Sequence, residues 1–316
     1  MKVVLVGAGA VGTLLGALLS GAGHSVTLVA RGLTATAIAQ HGVRVETLPP
    51  RSYPVDATVE LPPGGSADLV IVAVKAFDVA SAADLVGRAL PPTPLVLLQN
   101  GLGIEAMATP ALRRAGWREP ERWIVRAVSA VPATWVAPGV VRPGGVGEIL
   151  LASSTTAGPA RSAVDRAAEV FVSAGIPVRR VEDLPRETWR KAVLNAAINP
   201  VTALRDVPNG ALLEGPARAE ALPLLEEARR AARAAGFEFT EAETLATFDR
   251  LLHGTAANRS SMLQDLDRGR PTEIDAISGE VLRAAEAHGL DLPATRAVVG
   301  RVRARAPPRA DRAQPS

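Results

Sequence analysis

The chain of 316 residues contains no cysteine, which excludes disulfides, thiolate metal sites and a cysteine nucleophile. Lysine is nearly as scarce: of 35 basic residues only Lys2, Lys75 and Lys191 are lysine, the others being arginine. Asparagine is confined to positions 100, 195, 199, 209 and 258. Long apolar runs are missing too. The longest, such as residues 69–74 and 95–98, fall far short of a bilayer, so no transmembrane helix is expected and a membrane partner is set aside. Met1-Lys2 leads directly into Val-Val-Leu-Val-Gly, a strand and a glycine turn rather than a signal peptide with its cleavage site. A cytoplasmic location is the default expectation.

A strongly basic body is also lacking, although the net charge is +3. Residues 301–316 hold five arginines against Asp311, a balance of +4, so the preceding 300 residues sum to −1. This argues against a nucleic-acid partner. The Arg/Pro/Ala-rich end has no apolar period and reads as a solvated, disordered tail. The length suits two domains, and 47% hydrophobic with 21% charged residues describes a globular protein. No His, Asp or Glu cluster has metal-ligand spacing, so no metal is expected.

What is there begins with a short β-rich run, Lys2 to Val6, followed by Gly7-Ala8-Gly9-Ala10-Val11-Gly12. An amphipathic stretch then closes at Gly21-Ala22-Gly23, and a second strand runs from Ser25 to Ala30. A G-x-G-x-x-G turn in this βαβ setting aims a helix N-terminus at a pyrophosphate; a tight βα turn that binds nothing is the alternative. Dinucleotide choice falls to the end of the second strand. There Ala30-Arg31 stands where an NAD enzyme places a carboxylate, so NADP(H) is the expected cofactor unless Arg31 is simply a surface arginine. After a variable stretch, residues 69–74 read as a central parallel strand ending at Lys75, and residues 95–98 as another ending at Gln99-Asn100-Gly101. Ligands gather outside such carboxyl ends, although Asn-Gly also suits an ordinary turn. Strands near 125–131, 139–145, 148–151 and 178–181, with a helix near 160–174, would complete a sheet of mixed direction. Leu184-Pro185 reads as a hinge into a half that is helical almost throughout.

That half contains Trp189-Arg190-Lys191-Ala192-Val193-Leu194-Asn195-Ala196-Ala197-Ile198-Asn199-Pro200. On a helix, Lys191, Asn195 and Asn199 fall within roughly 80° of one face and span about 12 Å. A lysine kept amid such arginine usage suggests an amine needed for proton transfer. A buried polar ladder with a snorkelling lysine is the alternative.

The glycine turn, Val74-Lys75-Ala76, Gln99-Asn100-Gly101, residues 189–204, Pro208-Asn209-Gly210, 260–265 and 272–275 together resemble the ketopantoate reductase (2-dehydropantoate 2-reductase) family over nearly the whole chain. The resemblance implies an α/β fold: an N-terminal Rossmann-type NADP-binding domain (1–182), an all-helical C-terminal domain (183–305) with the active site in the cleft between them, and a disordered tail (306–316). It implies NADPH-dependent reduction of 2-dehydropantoate to pantoate, with Lys191 as general acid and Glu273 as a substrate-binding and catalytic carboxylate. Asn195, Asn199 and Ser261 would hold the substrate. Arg31 and Lys75 would contact the adenosine end of NADPH, and Asn100 would line the cleft beside nicotinamide and substrate. Glu273 also reads as a first-turn carboxylate, and Ser260 and Ser261 as N-caps. Arg142-Pro143 stands where many relatives are expected to carry histidine. Another 2-oxo acid substrate, or a non-catalytic NADP-sensing protein, are the competing readings. The helical half could supply a homodimer interface.

Overall fold

The computed structural model describes residues 1–153 and 159–307, with side chains for all of these except 159–161. The chain forms two compact units, one of Met1–Gln99 with Gly103–Leu184, the other of Asn100–Leu102 with the chain from Pro185 onward.

In the first unit, β1 (Lys2–Val6), α1 (Ala10–Gly21) and β2 (Ser25–Val29) form the expected βαβ unit. The stretch expected to be variable folds as α2 (Gly32–His41), β3 (Val43–Val45), β4 (Arg51–Tyr53) and β5 (Asp56–Thr58). Then come β6 (Leu69–Val72), α3 (Val79–Ala89), β7 (Leu95–Leu97), α4 (Ile104–Arg114), β8 (Ile124–Ser129), β9 (Ala133–Ala137) and β10 (Val140–Pro143). The unit ends with β11 (Ile149–Ala152), α5 (Pro159–Ser173) and β12 (Val178–Val181).

Eight strands make one sheet in the order β12-β11-β8-β7-β6-β1-β2-β5. From β5 to β8 every pairing is parallel, which is the doubly wound order with its switch point between β1 and β6. β11 pairs antiparallel with β8, giving the mixed direction expected. All four residues of β6 are buried, as a strand covered on both faces requires. This strand stops at Val72 rather than Val74, because Ala73 and Val74 turn half-exposed towards Lys75. The strand expected near 139–145 does not join the eight-stranded sheet: β10 lies in a separate sheet, β4-β3-β10-β9. Its strands are short and carry little alternation. The Arg142 guanidinium on β10 fastens it by donating from Nη2 (2.6 Å) and Nε (3.1 Å) to Glu46, just beyond β3.

The second unit is built from α6 (Leu184–Arg205), α7 (Gly215–Ala234), α8 (Glu241–Gly254), α9 (Ser261–Asp267), α10 (Glu280–Ala287) and α11 (Pro293–Arg305). Its core includes Val193, Ala197, Ile198 and Val201 of α6, Leu224 and Ala228 of α7, Phe248 of α8 and Val298 and Val302 of α11. A buried carboxylate helps to fix α11: Glu227 on α7 accepts from the Ala294 and Thr295 backbone N–H groups and from the Thr295 hydroxyl, satisfying first-turn donors.

Two expectations need correction. Leu184-Pro185 is where the chain passes from the first unit to the second, as expected, but it does so within the first turn of α6, where proline's missing N–H costs no helix bond. The basic end does not begin a disordered tail at 301: Arg301 and Arg303 on α11 pair with Glu220 and Asp275, and Arg305 donates to the Ala203 and Leu204 carbonyls at the end of α6. The apolar period there is carried by only a few positions, among them Val298, Val299 and Val302. From residue 308 the expected tail lies outside the described residues.

Candidate active site

The cofactor candidates lie in the first unit, at the carboxyl ends of parallel strands. Gly7 follows β1 with φ +111°, and a Cβ there would come within 2.8 Å of the Val74 backbone nitrogen, so only glycine fits. A Cβ on Gly12 would lie 2.0 Å from the Gly7 carbonyl oxygen, so glycine is what lets α1 approach the end of β1 this closely. At Gly9 a Cβ would meet no protein atom within 4 Å. The three positions therefore divide the work as a pyrophosphate cradle requires: one turns the chain, one leaves room for an approaching ligand, one packs the helix. Gly9 also begins α1 with no side-chain cap and no acid in the first turn, which leaves backbone N–H groups for an anion. Ala8, Ala10 and Val11 complete the turn.

Arg31 is exposed directly after β2 and starts α2, and among the described residues its guanidinium has no hydrogen-bond or ion-pair partner. Lys75 is half-buried after β6, at the start of a 3-10 turn over Ala76–Asp78. Gln99, two residues beyond the β7 end, is buried; its side-chain amide donates to the Val72 and Val74 carbonyls at 2.8 and 3.1 Å and ties the residue before Asn100 to the chain leading into Lys75.

The catalytic and substrate candidates are in the second unit, and Asn100 joins them. Although it follows β7, the 100–102 segment packs on residues 273–276: Leu102 N–H donates to the Ala276 carbonyl at 3.1 Å. Gly101 has φ +95°, and a Cβ there would sit 2.1 Å from that carbonyl oxygen. The Asn100 amide thereby reaches the Glu273 carboxylate, Nδ2 to Oε2 being 3.5 Å. Glu273 is only 6% exposed. It is not a first-turn carboxylate, as it precedes a turn of π-helix over Asp275–Gly279 whose first-turn acid is Asp275. Such turns mark places where a helix has been locally reshaped.

Lys191, Asn195 and Asn199 sit on α6, which is continuous through all three, so the row predicted from spacing exists. Lys191 and Asn195 are half-buried, and Asn199 is 5% exposed. Among the described residues, the amides of Asn195 and Asn199 and the Ser261 hydroxyl have no hydrogen-bond partner. Ser260, not Ser261, is the N-cap of α9, its Oγ accepting from Leu263 N–H at 3.2 Å. Ser261 is thus left exposed at the first helical position. Asn209 serves structure, its backbone N–H and side-chain amide bonding to Asn258 and Thr255.

The family profile described as "Ketopantoate reductase PanE/ApbA" matches residues 3–155, and "Ketopantoate reductase PanE/ApbA C terminal" matches 183–306. The chain belongs to the ketopantoate reductase family. A 2-dehydropantoate 2-reductase of Archaeoglobus fulgidus is 33% identical over 96% of this chain and 97% of that one, and another from Halobacterium salinarum is 33% identical over 96% and 98%. A solved ketopantoate reductase of Ralstonia eutropha superposes with TM-score 0.82 at 32% identity, covering 96% of this chain and 98% of that one. A D-mandelate dehydrogenase solved with NADH and anilino(oxo)acetate reaches TM-score 0.88 at 22% identity, again covering 96% and 98%, and this likeness speaks to the fold alone. Among the described residues no helix is long and apolar enough to cross a membrane, and no group of three or more metal-ligating side chains is assembled.

In this ketopantoate reductase family member two buried side chains beside the candidates carry no signal of their own in the sequence: the Gln99 amide, embedded in the Gln99-Asn100-Gly101 run, and Thr202, three residues beyond Asn199. A lone threonine in an apolar helical run carries no signal until its partner from another helix is known.

Proposed function

We propose that the protein reduces 2-dehydropantoate to pantoate with NADPH, a step towards pantothenate and coenzyme A. The observation that carries the reading is the set of uncommitted neutral donors beside Lys191: the amides of Asn195 and Asn199, the latter 95% buried. A buried amide without a protein partner is costly unless a ligand or water completes it.

When bound, NADPH supplies the hydride that adds to the C2 keto carbon. As the carbonyl π pair moves onto oxygen, the Lys191 ammonium opposes the growing negative charge and delivers its proton there, so hydroxyl forms and the neutral amine recovers a proton from solvent. Asn195, Asn199 and Ser261 orient the substrate carboxylate and hydroxyl as fixed neutral donors. Glu273, with Asn100 against one oxygen, accepts from the substrate hydroxyl. In the first unit the room at Gly9 and the bare start of α1 suit a pyrophosphate, and Arg31 suits a 2′-phosphate.

The same donors would serve another 2-oxo acid, and the difference lies in whether a substrate hydroxyl needs a partner. Steady-state kinetics with ketopantoate and 2-oxoisovalerate separate the two readings. A kcat/KM at least tenfold higher for ketopantoate is expected, and equal efficiency on both would sink the pantoate assignment.

A further inference from the structure

Asn199 and Ser261 come from different helices, and a substrate held by both needs those helices in fixed register. The link between them is a pair of hydroxyls. Thr202 is fully buried on α6, and its Oγ1 lies 2.8 Å from the Ile198 carbonyl oxygen, 3.0 Å from that of Asn199 and 2.8 Å from Ser260 Oγ. Ser260, 6% exposed, in turn accepts the Leu263 N–H as the cap of α9. A run of hydrogen bonds therefore passes from the turn of α6 that carries Asn199 to the start of the helix that carries Ser261.

The local backbone makes this link consequential. Pro200 lies inside α6 and offers no N–H to the Ala196 carbonyl, so the helix is weakened within the turn that bears Asn199. One turn on, the Thr202 hydroxyl bonds back to the Ile198 and Asn199 carbonyls, which fixes its direction towards Ser260. A second, exposed tie joins the same elements: the Arg259 guanidinium pairs with Asp206, beyond the end of α6, and with Asp267, at the end of α9. Exposed ion pairs contribute little and are screened by salt, whereas a sealed hydroxyl pair has one geometry.

We infer that Thr202, acting through Ser260, is a positioning residue for substrate: it sets the separation of Asn199 and Ser261 without touching the substrate itself. The inference rests on the reading of these residues as the 2-oxo acid subsite. It predicts an effect on keto-acid binding that is separate from cofactor binding and from the chemical step.

Thr202→Val keeps the shape and removes the hydroxyl. The expected result is a KM for ketopantoate raised roughly tenfold, with kcat and the KM for NADPH within about twofold of the parent, because an interaction common to ground and transition states has been loosened. Thr202→Ser, which keeps the hydroxyl, should return the KM to near the parent value. Arg259→Gln removes the exposed tie of the same junction and is the comparison; it should leave the melting temperature nearly unchanged and all three constants alone. Should Thr202→Val not fold, Ser260→Ala, which leaves Thr202 its bonds within α6, is read in the same way. An unchanged ketopantoate KM in the folded variant, or KM and kcat for both substrates shifting together, would overturn the positioning role while leaving the reductase reading intact. A folded parent that turns over none of the 2-oxo acids would overturn that reading, and this inference with it.

Discussion

At the scale of single residues, Lys191 is the position whose replacement discriminates most sharply. Lys191→Ala should lower kcat by about 10² to 10⁴ with NADPH binding preserved, since proton delivery and charge stabilisation are lost together. Lys191→Arg should fail almost as badly, because guanidinium holds its proton and has a different shape. A turnover within about threefold of the parent for the arginine variant, at saturating substrate and cofactor, would return Lys191 to a ladder role. Arg31 answers a different question. A charge-assisted contact to a 2′-phosphate contributes roughly 1.5 to 3 kcal/mol, so Arg31→Ala should raise the KM for NADPH at least tenfold and leave that for NADH nearly unchanged. If both constants rise together, the arginine is structural and the cofactor preference has another source.

Elements add constraints that no single side chain reveals. In the β1–α1 turn, the two glycines predict opposite phenotypes for one chemical change. Gly12→Ala drives a methyl to 2.0 Å from a carbonyl oxygen and should lower the melting temperature of the ligand-free protein. Gly9→Ala meets no protein atom, so it should leave that temperature unchanged and instead weaken NADPH binding, measured by fluorescence titration. Loss of stability in the Gly9 variant without loss of affinity would contradict the division of work described above. Among the helices, Glu220 on α7 lies between Arg301 of α11 at 2.8 Å and Arg205 of α6 at 2.6 Å. The Arg301 hydrogen bond, aided by Arg205 and opposed by burial, holds its carboxyl below the ordinary value of 4.5. A carboxyl depressed in the folded state adds stability above the unfolded value and loses it as pH falls through the folded one. Glu220→Gln should therefore melt below the parent at neutral pH, and the gap should close as pH drops below about 4.5. A gap that widens in acid would mean that Glu220 acts through something other than its charge.

Over the whole molecule, what the sequence disclosed depended on how local the cause was. The βαβ unit, the run 69–74 and the row on α6 were legible because their periodicity and glycine spacing are set within a few residues. β3, β4, β5 and β9 were not, since strands of three to five residues are stabilised by partners distant in sequence. Ser260 and Ser261 are equivalent as caps in the sequence, and where α9 begins, which the Leu263 N–H bond to Ser260 marks, separates them. The arginines of α11 looked like a tail because the acids that hold them, Glu220 and Asp275, lie far away in the chain. Family membership was readable from motif order alone, as the profile matches bear out.

The excursion of residues 100–102 into the second unit means that the backbone crosses between the units three times, at 99/100, 102/103 and 184/185. Modularity in this protein is therefore only apparent. A chimera that joins the first 184 residues of one relative to the remainder of another inherits a foreign tripeptide at the Glu273 turn, and Asn100 then faces a carboxylate it did not evolve beside. Exchange of the helical half between relatives should succeed only when that triplet travels with it, so the unit of inheritance here is discontinuous in the gene.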